Sequence, residues 1–235
     1  MAKNIWFVCF LCALLLIVAC TDDDGLTPGP APSLSLSGPD LLGLVDGRTL
    51  EYLRTDTIVT WIPDYRMQED TGTEFISIVG SGSDWIIRND TVPLLNLKVS
   101  DPFILHNGYW RKVGESDALV YFPVPAIAVD RSATQDEPWS GFIPAYTSDS
   151  GSMSYVFYYG YFGFHFTKSY SGTEQIFVPA FGGNAFRHDV KLFRDQGDTD
   201  PVATVVEHYA PGIGLVRQEL RAEGLVRVLS LRAYH

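Results

Sequence analysis

The chain has 235 residues, 28 of them acidic and 17 basic, for a formal net charge of −11 at pH 7. A surface of that sign repels phosphate backbones and anionic headgroups, so the composition excludes nucleic acid as an expected partner and excludes membrane attachment through a basic patch. The length suits one domain, or at a stretch two small ones, and is enough to bury about 70% of the unfolded surface without disulfide staples.

The first predicted element is an export signal. Lys3 forms a positive n-region and Ile5 to Ala19 is an uninterrupted apolar run of 15 residues. A bilayer span needs roughly 20 such residues, so the run is short for a permanent helix and right for a signal h-region. Cys20 closes the run directly after the small residue Ala19. The segment Ile17-Val18-Ala19-Cys20 resembles the lipobox of bacterial lipoproteins, and the resemblance implies cleavage before Cys20, acylation of Cys20 and attachment to the membrane through its acyl chains. An ordinary secretory signal with Cys20 incidental is the plainer alternative, and Ala19 favours the lipobox. Cleavage would remove residues 1–19, take Cys9 and Cys12 with them and leave 216 residues. The exported domain would then have no cysteine for a disulfide. Loss of Lys3 would leave 16 basic residues against 28 acidic ones, a net of −12.

Residues 20–38 read as a lipidated cysteine and a disordered tether. Pro28, Pro30 and Pro32 stand among Gly and Ser in a composition that cannot bury a core. In polyproline form this tether reaches at most roughly 55 Å from the bilayer. Asp22, Asp23 and Asp24 resemble the short acidic export signal that sends some Bacteroides-type lipoproteins to the outer face of the outer membrane. A spacer held off anionic lipid by like charge is the alternative. The expected location is therefore the outer membrane, on its periplasmic or cell-surface face.

From Pro39 to His235 the chain reads as a single all-β domain. Pro39 to Leu44 is the best helical candidate and looks too short to matter. Arg48 to Pro63 alternates apolar and polar residues around β-branched and aromatic types. Short runs follow at Gly72 to Val79, Asp84 to Arg88 and Leu94 to Val99, with Gly80-Ser81-Gly82-Ser83-Asp84 as a hairpin turn. Tyr109 to Val113 and Ala118 to Pro123 predict a hairpin across Gly114-Glu115-Ser116-Asp117. Later runs are Phe142 to Thr147, Ser154 to Lys168, Glu174 to Val178, Ala185 to Phe193, Ala203 to Tyr209, Gly214 to Ala222 and Leu225 to Tyr234. With 14 prolines and 21 glycines as punctuation, the spacing predicts an antiparallel open, half-closed barrel or a β-sandwich.

Ser154 to Lys168 (SYVFYYGYFGFHFTK) is the most unusual run. As one strand it puts Tyr155, Phe157, Tyr159 and Tyr161 on one face, and Val156, Tyr158, Phe162, Phe164 and Phe166 on the other. A surface strand would alternate with polar residues, so both faces should be covered. The core reading comes first, with Gly160 and Gly163 marking a bulge or bend. The functional reading is that one face lines a ligand cavity, with Tyr155, Phe157, Tyr158, Phe162 and Phe164 as the candidate ligand-binding residues.

Two C-terminal segments carry a second resemblance. Gly172 to Gly182 reads GTEQIFVPAFG, and Glu207 to Glu219 reads EHYAPGIGLVRQE. They resemble uncharacterised bacterial lipoproteins in which a strand ending in VPAG-T-F is followed by YAPGVGLV. That set is similar in outline to the LolA-like superfamily, and the resemblance implies a half-closed barrel holding acyl chains on a concave face. Phe181 to Phe186 departs from it as a longer turn. On physical grounds Pro211, Gly212 and Gly214 specify a sharp turn, after which Arg217, Glu219 and Arg221 form a solvent row.

Catalytic signatures are missing from the sequence. His106, His165, His188, His208 and His235 share no metal-ligand spacing, and neither H-E-x-x-H, C-x-x-C nor G-x-S-x-G occurs. His188 and Asp189 are adjacent, but strand neighbours face opposite ways and cannot form a dyad. The expectation is a non-catalytic protein with no cofactor and no metal. It should bind a lipid or other hydrophobic ligand in an open barrel, or else act as a structural accessory of an outer-membrane assembly through an exposed sheet edge, with its protein partner unknown.

Overall fold

A computed structural model describes residues 38–60, 65–89, 92–113, 116–148, 151–153, 155–157 and 160–235. Cys20, Tyr158, Tyr159 and the signal and tether segments lie outside these residues. The described chain is nearly all β. Fourteen strands form one continuous sheet that curls into a nearly closed barrel with one unsealed seam.

Two antiparallel meanders make the wall. The first comprises β1 (Arg48–Thr60), β2 (Arg66–Ser81), β3 (Asp84–Asn89), β4 (Val92–Ser100), β5 (Phe103–Val113) and β6 (Ser116–Asp130). The second comprises β12 (Phe164–Val178), β13 (Phe181–Phe193), β14 (Ala203–Ala210), β15 (Gly214–Ala222) and β16 (Leu225–Tyr234). Strands β16 and β1 pair antiparallel from Leu50–Tyr234 to Ile58–Leu225 and join the two meanders. Beyond β12 come β7 (Pro138–Ile143) and the short pair β11 (Gly160–Phe162) and β10 (Tyr155–Phe157). Two further short strands, β8 (Tyr146–Ser148) and β9 (Gly151–Met153), pair only with each other.

Strand alternation turns one side chain in two inward, and the pairing register aligns these into rows around the wall. Three successive rows matter below. The first contains Phe166, Leu192, Ala203, Ala222, Leu225 and Ile58. The second contains Lys168, Val190, Val205, Leu220, Arg227 and Asp56, and the third Tyr170, His188, Glu207, Gln218, Leu229 and Arg54. Below them, Tyr52, Leu50, Ile76, Ile78, Leu215 and Val216 are essentially fully buried.

The seam lies between β6 and β7, which run side by side without ladder pairing. The cause is local. Between Tyr121 and Ala126, strand β6 leaves its register with β5, and that interruption contains Pro123 and Pro125, which have no N–H to donate. Close approach across the seam uses small residues. A Cβ on Gly141 of β7 would stand 3.2 Å from the Cβ of Ala126 on β6.

Helix α1 (Gly38–Leu42) closes the end of the barrel opposite those three rows. Leu41, Leu42 and Leu44 are buried, and the carbonyl of Asp40 accepts the Gly212 N–H at 2.8 Å. Gly43 has a φ of +62°, and a Cβ there would lie 2.0 Å from the Ile213 carbonyl oxygen. This short element therefore matters, contrary to its reading from length alone: three leucines in seven residues have no other face to bury.

Three further expectations change. Ser154 to Lys168 is not one strand. Gly163 adopts a φ of +79° and separates β11 from β12, at one of the two glycines expected to mark a bend, and Tyr161 and Phe162 are both buried, as expected of a run covered on both faces. Phe181 to Phe186 is strand and not a longer turn, the connection being only Pro179-Ala180. Phe142 to Thr147 is interrupted at Pro144 and Ala145, between β7 and β8. The hairpin at Gly82-Ser83 and the Pro211-Gly212-Ile213 turn fall where the sequence puts them, with Gly212 at a φ of +73°.

Candidate binding site

Two features distinguish the barrel interior: a buried ionic cluster at mid-height and an open cavity above it. The cluster is built from β12 and β14, whose inward phases carry Lys168 and Glu207. Lys168 Nζ stands 2.6 Å from Glu207 Oε2, with side-chain exposures of 5% and 0%. An isolated charge at that depth would be costly, so the carboxylate is surrounded by donors. Tyr161 donates to Oε1, Tyr209 donates to Oε2 at 3.0 Å, and Gln218 Nε2 donates to Oε1 at 3.3 Å. Lys168 also lies 5.3 Å from the centroid of the Tyr209 ring.

Burial alone would push the Glu207 carboxyl up, but the Lys168 charge and the surrounding hydrogen bonds outweigh it and hold the group below its ordinary value. Burial and the Glu207 charge push the Tyr161 hydroxyl well up, so it stays a neutral donor. Around this pair stand two buried histidines. Burial, then the Lys168 charge, brings His106 down to about 3. Burial, with Lys168 and His208, pushes His188 well below its usual range. His188 packs edge-on against Tyr209 at 5.3 Å and against Trp139 at 6.0 Å, and among the described residues neither of its ring nitrogens has a hydrogen-bond partner. The cluster is a buried element of the core. Among the described residues no group of His, Cys, Asp and Glu has metal-binding geometry.

The cavity opens at the end away from α1, with a volume of about 910 Å³. Its apolar wall is formed by Phe164, Val202, Ala203, Leu220, Ala222 and Leu225. These come from the start of β12, the β13–β14 connection and the first two inward rows of β14, β15 and β16. Small residues at Ala203 and Ala222 leave the space. The charged residues at the rim are Arg194, Glu223 and Arg227. Arg227 is engaged by Asp56 through two bonds of 2.8 and 2.9 Å, which hold the Asp56 carboxyl below its usual value. Arg54 extends that network to Asp70 at 2.8 Å and Glu74 at 2.9 Å. The third row lies deeper in the barrel: Tyr170, His188, Glu207, Gln218 and Leu229 are all buried.

Of the residues proposed from the sequence, Phe164 lines this cavity and Phe162 is packed in the core at 3% exposure. Tyr155 and Phe157 belong to β10 at the sheet edge, and Tyr158 lies outside the described residues. His165 faces outward and stacks on Phe142 at 4.4 Å. His188 and Asp189 point to opposite sides, as expected for strand neighbours. Sequence reasoning missed Lys168, Glu207 and Gln218, although a signal was present. Each is a polar residue at the inward phase of an otherwise apolar alternation, as in Phe164-Phe166-Lys168 and Val205-Glu207-Tyr209.

Fold and cavity together define a nearly closed antiparallel barrel with a half-apolar cup at one end. No family model and no curated relative matches the chain. Solved structures of similar outline include a protein regarded as a lipoprotein from Parabacteroides distasonis, with 12% identity, a TM-score of 0.39, and 82% of this chain and 96% of that chain covered. A β-barrel-like protein of a domain of unknown function from Brucella abortus has 7% identity, a TM-score of 0.38, and 81% and 97% coverage. A LolA-superfamily protein from Nitrosomonas europaea has 8% identity, a TM-score of 0.34, and 86% and 89% coverage. At these values the likeness is one of general outline only.

Proposed function

We propose that this chain is a lipid-anchored, non-catalytic envelope lipoprotein that binds a hydrophobic ligand in the mouth of its barrel. The supporting observation is the cavity of about 910 Å³ with inward Phe164, Ala203, Leu220, Ala222 and Leu225 at its wall. A volume of that size, with an apolar wall below a charged rim, falls within the range of small-molecule sites. The anchor rests on the sequence alone, on Cys20 after its apolar run, and Cys20→Ser should abolish acyl labelling in the native envelope. A role as a docking edge is less well supported, because Pro123 and Pro125 blunt the free edge of β6 against strand addition.

Ala222→Trp tests the cavity. The indole should occupy empty space and leave the melting temperature nearly unchanged. Uptake of the neutral dye N-phenyl-1-naphthylamine, read by fluorescence, should weaken about tenfold or more, the equivalent of roughly two methylenes of lost burial. Equal dye uptake by parent and variant would place the site elsewhere, and no uptake by the parent would overturn the reading.

A further inference from the structure

The rim of the cavity carries one uncommitted charge of each sign. Arg194 opens the β13–β14 connection and Glu223 lies in the β15–β16 turn, and both line the cup. Arg227, the third charged residue there, is bound to Asp56. Among the described residues Arg194 and Glu223 have neither a hydrogen-bond nor an ion-pair partner, and they do not pair with each other. Asp195 and Asp198, which follow Arg194, face the neighbouring cavity beside Phe142 and Thr167, and the Asp198 carboxylate accepts the Asp195 N–H. The two connections stand two strand spacings apart, roughly 10 Å, within joint reach of the long Arg and Glu side chains. Below them the wall is apolar at Leu220 and Leu225.

We propose that the ligand is a zwitterionic amphiphile, a deduction that rests on the cavity reading above. Its anionic group binds Arg194, its cationic group binds Glu223, and its tail enters the cup against Leu220 and Leu225. A simple anion on Arg194 would leave Glu223 repelling it across the same opening, in a protein of net charge −11. A simple cation on Glu223 would leave Arg194 opposed in the same way. A headgroup carrying both charges satisfies both residues at once, and its overall neutrality avoids repulsion from the rest of the surface.

Displacement of N-phenyl-1-naphthylamine from the full-length protein, below the micelle threshold, tests this with octyl-tailed probes. Octylphosphocholine should displace dye at about one-tenth the concentration needed for octyl sulfate or octyltrimethylammonium. N-octanoyl-lysine, whose head pairs a carboxylate with an ammonium, separates an amino-acid headgroup from a phospholipid one, and the tighter of the two zwitterions identifies the source. Glu223→Gln should bring octyl sulfate level with the zwitterion, and Arg194→Gln should do the same for octyltrimethylammonium. Dye bound by the parent but released equally by all four probes, or best by a singly charged one, overturns the headgroup assignment and leaves the cavity standing. Absence of dye binding overturns both.

Discussion

At the scale of single residues, the interior holds charge only where it is neutralised. Lys168 and Glu207 form a pair 2.6 Å apart, and Tyr161, Tyr209 and Gln218 donate to the carboxylate as well. The histidines beside them stay neutral for the same reason: a second cation next to Lys168 in a dry core is too costly. This fixes the pH dependence of stability. Unfolded histidine takes up a proton near pH 6.5, while folded His106 does so only at about 3. The unfolded chain therefore binds more protons as pH falls from 6.5 towards 3, and stability is lost across that window. His188, lowered in the same direction, adds to the loss. Glu207, whose folded value is depressed, contributes only from its unfolded value of about 4.5 downward. Each such histidine gives a slope of about 1.4 kcal/mol per pH unit. Urea titrations of the parent should show weakening from pH 6.5 rather than from pH 4.5, and His106→Gln should remove about half the slope between pH 6 and pH 5. An unchanged slope in the variant would mean that His106 is solvated in the native state.

At the scale of elements, legibility follows the strength of local rules. Gly214 to Ala222 and Leu225 to Tyr234 are short strand-forming runs bounded by Gly224 and Pro211-Gly212, so β15 and β16 fall on the residues expected. Ser154 to Lys168 misleads because Phe and Tyr on both sides of Gly163 preserve apparent alternation through a break that the backbone makes at positive φ. Phe164 of that run does reach the cavity, since it begins a new strand whose phase was readable from Phe166 and Lys168. The cup itself was not readable: it is formed by Ala203, Leu220 and Leu225 from three strands brought together by register, which no local pattern encodes. Helix α1 was undervalued because five residues carry little intrinsic helical stability, whereas tertiary burial of Leu41 and Leu42 supplies it. Gly43 is the hinge of that packing. With a φ of +62° and backbone only 2.0 Å from where a Cβ would stand, Gly43→Ala cannot be absorbed by a flexible neighbour. It should cost about 3 kcal/mol or more, against about 1 kcal/mol for relief of glycine entropy elsewhere. Gly212→Ala, with a positive φ but nothing within 4 Å, is the control and should cost less. Equal midpoints for the two variants in urea would show that the α1 contact with Ile213 contributes nothing.

At the scale of the whole molecule, the barrel is a cup rather than a tube. Ala203, Ala222 and Leu225 of the first row and Leu220 and Arg227 of the second line the cavity, while Lys168 of the second and Glu207, Gln218 and His188 of the third lie buried beneath it. Rows two residues apart along a strand are separated by about 6.7 Å, so an apolar tail entering between the first and third rows descends at most roughly 13 Å, and less where the strands tilt. One leaflet of a bilayer hydrocarbon core is about 15 Å deep, so a full-length acyl chain does not fit beneath the rim. Further descent would have to displace the close-packed second and third rows, Val205, Gln218 and Leu229 among them. Affinity should therefore grow with tail length only to a limit. For a series of neutral primary alcohols competing with the dye, each added methylene should tighten binding about fourfold, the equivalent of roughly 0.8 kcal/mol, up to about ten carbons. Beyond that the gain should vanish. Replacing the floor, with Glu207→Leu and Lys168→Met together so that no lone charge is left buried, should keep the plateau at the same length, because Val205 and Leu229 still fill the interior. Affinity that keeps rising through sixteen carbons in the parent would show that the lumen opens along the β6–β7 seam and that the cup is not blind.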